Sequence, residues 1–312
     1  MNFKLSLLIL STLLSCIFGQ SVYTLTDSTL SSMQWNSTTS QKYNLNQKLF
    51  KAHQISSYNN GALQALVSNS NDYLSVVAID TTSGKLKQLQ GMASPSEYQT
   101  SEFFDAFYDS SLNLANLLFI GSNTSDPNGP TNVALLSYNF ETSQVQTTWL
   151  GPKNGTYRGT YDQGEQLYFV VNVVQAGYFQ ITVLNATTGH VVEKNDIYAS
   201  VDPTTEFALF ARNGGVFVAI NLGSKIQMYF LNVNVGTKVS IATVNTPFTI
   251  TGFDIYLESL NIVDALVYLS VYTNTQSSIY KFTFESMVFD TVYTKTAVLL
   301  NSSQLVYIDY NN

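Results

Sequence analysis

Charged side chains recur at one position of a repeated pattern. Each directly follows an aromatic residue, and the copies stand about 50 residues apart: Phe50-Lys51, Phe104-Asp105, Tyr157-Arg158 and Phe253-Asp254, with Phe207-Ala208 as a neutral member. If the fold brings Asp105 and Asp254 face to face, two carboxylates can hold a hard cation such as Ca2+, which takes oxygen ligands. The same pair can act as general acid and base. Lys51 and Arg158 offer a plainer outcome, in which alternating charges neutralise one another around a solvated space.

The remaining catalytic inventory is thin. His53 and His190 are the two histidines. His53 occupies the repeat position of Phe107, Phe210 and Tyr256, so it reads as a half-buried stand-in for an aromatic ring. A Ser-His-Asp triad would have to use His53, yet no Gly-x-Ser-x-Gly elbow accompanies it. His190 falls in the turn Thr187-Thr188-Gly189-His190 and reads as exposed. Asn213-Gly214-Gly215 is a turn rather than a phosphate loop. The stretch Asn123–Pro130 carries Asp and Asn oxygens that suit Ca2+ but lacks the spacing of a defined calcium loop. Tyr98, Phe103, Phe104, Phe107 and Tyr108 lie beside Glu97, Glu102 and Asp109, a mixture that suits stacking on sugars. Their repeat positions assign most of these rings to the core.

The elements that position these residues are strands. Apolar residues alternate or run in groups of four to eight rich in Val, Ile, Tyr, Phe and Thr, separated by Gly, Asn and Ser. Five units superimpose. Their first hairpins begin at Phe50, Phe104, Tyr157, Phe207 and Phe253. Their second hairpins are Leu74–Gln90, Val133–Leu150, Phe179–Asp196, Ile226–Val244 and Ile279–Thr296. Two fragments remain. Val22–Trp35 reads as a second hairpin without its first, and Val298–Ile308 as a first hairpin without its second. Together they predict a sixth unit shared between the chain ends, which closes a ring and hides its edge strands.

This pattern resembles the β-propeller superfamily over nearly the whole of 20–312. The segment Phe179–Val192, with its Asn185-Ala186-Thr187-Thr188-Gly189 turn, is most similar to the outer hairpin of quinoprotein-type propellers. Trp35 is followed by Asn36, so there is no WD signature, and Gly214-Gly215 is the one paired glycine, too little for a kelch pattern. The resemblance implies an all-β, six-bladed propeller of four-stranded antiparallel blades. A β-sandwich pair or a β-solenoid is the alternative. It also implies that the first strand of each blade lines a central channel, where units two and five face each other and Lys51 and Arg158 flank Asp105. Ligands of such folds usually bind on the loop face, here Trp35–Leu49, Gly91–Phe103, Gly151–Gly155, Ala199–Thr205 and Asn245–Gly252, with Asn123–Thr131 and Thr273–Ser278.

Residues 1–19 read as a secretory signal peptide: Lys4, then the apolar run Leu5–Leu14, then Gly19 before a plausible cut. About ten apolar residues are too few to span a bilayer, which needs roughly 20. Leu13-Leu14-Ser15-Cys16 loosely resembles a lipobox, although Leu14 fits it poorly. Cys16 is the single cysteine, so the segment 20–312 holds no disulfide. Charged residues make up 11% of the chain and its net charge is −7. An acidic chain without basic runs argues against nucleic acid and against docking on anionic lipid. Sequons at Asn36, Asn123, Asn154, Asn185 and Asn301 all fall at expected turns or loops. The expectation is a secreted glycoprotein without stable membrane insertion. It would act as a non-catalytic matrix, adhesion or signalling module binding an extracellular glycan or protein, with Tyr98, Lys51 and Arg158 as candidate contacts. The alternative is an extracellular hydrolase or lyase using Asp105, Asp254 or His53 at the channel.

Overall fold

In the computed structural model, residues 21–34, 40–57, 62–68, 74–93, 98–123, 129–258, 266–273, 276–283, 288–295 and 305–309 are described. Their strands, in chain order, are β1 (Ser21–Leu25), β2 (Thr29–Gln34) and β3 (Ser40–Asn44), then four strands for each of five blades. Blade 1 is β4 (Lys51–Ser57), β5 (Ala62–Ser68), β6 (Leu74–Asp80) and β7 (Leu86–Met92). Blade 2 is β8 (Tyr98–Asp109), β9 (Leu114–Asn123), β10 (Asn132–Asn139) and β11 (Gln144–Pro152). Blade 3 is β12 (Thr156–Asp162), β13 (Leu167–Val173), β14 (Tyr178–Asn185) and β15 (Val191–Tyr198). Blade 4 is β16 (Phe207–Arg212), β17 (Gly215–Asn221), β18 (Lys225–Asn232) and β19 (Thr237–Asn245). Blade 5 is β20 (Gly252–Glu258), β21 (Leu266–Tyr272), β22 (Ser277–Thr283) and β23 (Val288–Lys295), and β24 (Leu305–Asp309) ends the series. Each blade is an antiparallel meander, and the first strands of neighbouring blades contact one another around a closed circle, with β24 between β20 and β4.

The closing blade has the order β24-β1-β2-β3. The chain ends do share it, but as one C-terminal and three N-terminal strands, not two hairpins. β24 pairs with β1 from Ser21↔Asp309 to Leu25↔Leu305. The sequence hid β3 because Ser-Gln-Lys-Tyr-Asn is an exposed outer strand with only Tyr43 half-buried, so it carries no apolar run. The segment 296–304 lies outside the described residues.

Stacked blades bury both faces of their middle strands, which explains the unbroken apolar runs. On β13, Tyr168 and Val170 pack toward blade 2 with Leu118 and Ile120. Phe169 and Val171 pack toward blade 4 with Phe207 and Val218. Fully burying each such side chain contributes about 1.5–3 kcal/mol. Largely exposed outer strands finish blades 1 to 4 and the closing blade. In the five blades β6–β7, β10–β11, β14–β15, β18–β19 and β22–β23, the outer pair carries a register shift, the bulge that blunts an exposed edge against further strand pairing.

The outer turns share one construction. Asp80, Asn139, Asn185 and Asn232 each accept backbone N–H bonds from two or three residues on, such as Thr188 N–H to Asn185 Oδ1 at 2.8 Å. Four residues later the chain turns left-handed, at Gly84, Ser143, Gly189 and Gly236. Gly189 must also remain small, because its carbonyl accepts from Thr148 Oγ1 of blade 2 at 2.8 Å and a Cβ there would collide with that side chain.

Candidate functional site

The repeat position that follows the leading aromatic does lie on the channel-lining strands. Lys51 opens β4, Asp105 and Arg158 lie on β8 and β12, and Ala208 and Asp254 on β16 and β20. β8 and β20 are three steps apart in the ring of six and so stand opposite each other. The side chain of Asp254 lies outside the described residues. The three described charges do not simply neutralise one another. Each binds the backbone of the next blade: Lys51 Nζ donates to Phe103 O at 2.8 Å, Asp105 Oδ2 accepts from Gly159 N–H at 2.8 Å, and Arg158 Nε donates to Phe207 O at 3.4 Å.

Burial pushes the Asp105 carboxyl up, while Arg158, the Gly159 N–H and Lys51 pull it back. Burial likewise lowers the Lys51 ammonium; Asp105 opposes this, Arg158 adds to it, and Glu102 opposes it. Arg158 and Lys51 both stabilise the ionised form of Asp105, and its bond to Gly159 favours the same form.

Backbone irregularity is concentrated beside these charges. In β4, His53 is skipped between Ala52↔Val67 and Gln54↔Leu66. In β8, Ser101 and Phe104 are skipped, at the shifts between Thr100 and Glu102 and between Phe103 and Asp105. The first-strand pairs β12–β13, β16–β17, β20–β21 and β24–β1 run without a shift. Bulges re-aim side chains and are enriched next to functional sites. Here they set blades 1 and 2 apart from the rest of the ring.

His53 meets Phe103 edge-on, with ring centroids 5.6 Å apart. Its Nε2 lies 3.3 Å from Ser68 Oγ. This is the Ser–His half of a triad, but Ser68 is 1% exposed and so sealed from substrate. His53 Nδ1 is buried with no partner among the described residues, so no carboxylate there orients the ring. Burial, reinforced by Lys51, lowers the imidazole to about 3, which keeps it neutral as expected of a stand-in for an aromatic. Among the described residues no three of His, Cys, Asp and Glu come together as a metal site.

Two contributors escaped sequence reasoning. Phe207, Phe253 and Tyr157 are buried as the repeat implies, but the equivalent Phe50 is 64% exposed, beside Lys51 at the channel mouth. Lys153 reaches Glu102 Oε2 at 3.4 Å and lies 5.9 Å from the Phe104 ring, which stacks on Tyr157. An exposed large aromatic in a core repeat position has no sequence signal. Tyr98 was expected in a loop but opens β8, paired with Asn123; the side chains of both lie outside the described residues. The bulges explain the error, because they break the alternation that would have extended the strand.

Of the sequons, Asn154 is exposed between β11 and β12, and Asn185 is half-buried at the end of β14. Asn123 is the last residue of β9. Asn36 and Asn301 lie outside the described residues, as does 124–128 of the Asn123–Pro130 stretch. No described helix is long and apolar enough to cross a membrane.

Ring, channel and loop face define a six-bladed β-propeller. No family model matches the chain, and no curated protein sequence does. Among solved structures it is similar to a protein of unknown function from Desulfotomaculum acetoxidans, with 12% identity, TM-score 0.53, and coverage of 91% of this chain and 82% of that one. It is similar also to a protein from Lactobacillus plantarum, with 11% identity, TM-score 0.52, and coverage of 93% and 99%. At such identities the likeness carries the fold alone.

Proposed function

We propose that this protein is a secreted, N-glycosylated binding module that takes an extracellular glycan or protein at the channel mouth on its loop face. One observation carries the reading: Phe50 is 64% exposed at a position where the repeat buries its aromatic. Aromatic side chains, Phe among them, are enriched at recognition surfaces relative to the rest of a protein's surface. Phe50 has Lys51 next to it in the chain, on a bulged strand. Lys51, Asp105 and Arg158 are each tied to the backbone of the next blade, which holds the strands around Phe50 in place.

The test is to screen the secreted protein against immobilised extracellular glycans and matrix proteins, then repeat any hit with Phe50→Ala and Tyr98→Ala. Phe50 is exposed, so its removal should leave the melting temperature unchanged while binding falls on the order of tenfold. Turnover of a glycan that disappears in both Asp105→Asn and Asp254→Asn would overturn the binding reading in favour of a hydrolase or lyase. A melting temperature higher in Ca2+ than in EDTA would add a cation between those two residues. Peptide mapping after deglycosylation reads Asn154 and Asn185 directly.

A further inference from the structure

Away from the channel, two tyrosines flank one lysine, and a third packs on one of them, where the outer strands of blades 3 and 4 meet. Tyr178 and Tyr198 face each other across β14 and β15. They are 38% and 66% exposed, with ring centroids 5.6 Å apart at 76°. Lys238 Nζ, on β19, sits 4.9 Å from the Tyr229 ring centroid and 5.9 Å from that of Tyr198. The backbone beneath is firm. Gly177 N–H donates to Val201 O and Ala199 N–H to Gly177 O, both at 2.8 Å, so the ladder continues past the strand ends.

This group is chemically specific. In a chain with 21 acidic and 14 basic residues, Lys238 has no carboxylate partner among the described residues. Two ring faces hold it instead, the geometry of a cation–π contact. An open tyrosine ring offers a stacking surface to the C–H face of a pyranose. The Lys238 ammonium, 5.9 Å from the Tyr198 ring centroid, has donors left for a carboxylate.

We propose that this rim is a second binding site, independent of the channel mouth, for a carboxylate-bearing sugar. The ring of Tyr198 carries the pyranose, the edge of Tyr178 walls it, and Lys238 takes the carboxylate. The experiment is calorimetric titration of the whole protein with tetragalacturonate and, separately, with neutral cellotetraose.

Saturable binding of the uronate alone is expected. Tyr198→Ala and Lys238→Gln should each weaken it on the order of tenfold, with Lys238→Arg retaining it. Tyr198 is exposed, so its variant should melt as the wild type does. Phe50→Ala should leave uronate binding unchanged, which separates this site from the channel-mouth reading. Equal binding of cellotetraose, no saturable binding of tetragalacturonate, or binding insensitive to Tyr198→Ala and Lys238→Gln would each overturn the proposal.

Discussion

Asp109→Ala tests how the ring is held together. Asp109 ends β8 and is 2% exposed. Its Oδ2 accepts from the Tyr161 hydroxyl of blade 3 at 2.8 Å, and its Oδ1 from Gln163 Nε2 at 3.0 Å. The same Oδ1 caps its own turn, accepting from Ser111 N–H at 2.8 Å, Ser111 Oγ at 2.6 Å and Leu112 N–H at 3.3 Å. One carboxylate thus shapes a turn and clasps the next blade. Alanine removes every acceptor. Ser111 is exposed and water can replace part of its loss, whereas the buried Tyr161 hydroxyl keeps no partner at that point. Hydrogen bonds to a charged group contribute roughly 1.5–3 kcal/mol each, so losing one to Tyr161 and one in the turn costs about 4 kcal/mol.

At an unfolding entropy of ~2.1 cal/mol/K per residue, a chain of this size gains ~0.6 kcal/mol/K on unfolding, so the melting temperature should fall by roughly 6–7 °C. Asp109→Asn keeps the turn acceptor but loses the charge, and should cost about half as much. Tyr161→Phe should cost about 1–2 kcal/mol. Because the two residues share one bond, the double variant should be less destabilised than the sum, with a coupling of about 1 kcal/mol or more. Thermal and urea unfolding of the four proteins measures this. A fall below ~2 °C for Asp109→Ala, or strict additivity with Tyr161→Phe, would refute the clasp.

Two further outcomes follow from the same geometry. His53 stays neutral in the folded protein down to about 3, against an ordinary value of 6.5. Between those values the unfolded chain binds a proton that the folded one does not, so this contribution to stability is lost as pH falls from 6.5 toward 3. His53→Phe should flatten that limb of the stability–pH curve, and parallel curves for the two proteins would sink the assignment. Gly155 has φ +77°, and a Cβ there would meet the Val173 carbonyl oxygen. Gly155→Ala should cost about 2–4 kcal/mol. Gly164→Ala, whose Cβ would find only Asp162 Oδ1 at 3.4 Å, is the control and should cost under about 1 kcal/mol by urea unfolding.

The middle strands were legible because each is buried on both sides. Leu167–Val171 shows no alternation, and the structure gives its residues alternately to blade 2 and blade 4. Outer hairpins were legible through their turns. Asn185 stands where Asp80, Asn139 and Asn232 stand, so the turn alone accounts for an Asn there, and a sequon at that position is weaker support for a glycan than one at exposed Asn154. β3 was illegible because an exposed edge strand can be wholly polar. The start of β8 was illegible because Ser101 and Phe104 bulge out of register.

The channel charges were visible as positions but not as roles, and the reason is physical. Lys51 and Arg158 bind carbonyls, and Asp105 binds an N–H group. Every residue but proline supplies both groups, so no motif marks the partner. Each of these bonds runs from one first strand to the next, and at the end of β12 Asp162 Oδ2 reaches the turn after β16, accepting from Gly214 N–H at 2.7 Å. A buried carboxylate held this way is costly to leave unpaired, so selection for ring closure alone would retain Asp105 and Asp109. Side chains free of that duty are the better guide to recognition. Phe50 and Tyr198 are 64% and 66% exposed. An exposed aromatic ring contributes little to stability, so a cost confined to binding on its removal is the signature that separates recognition from architecture.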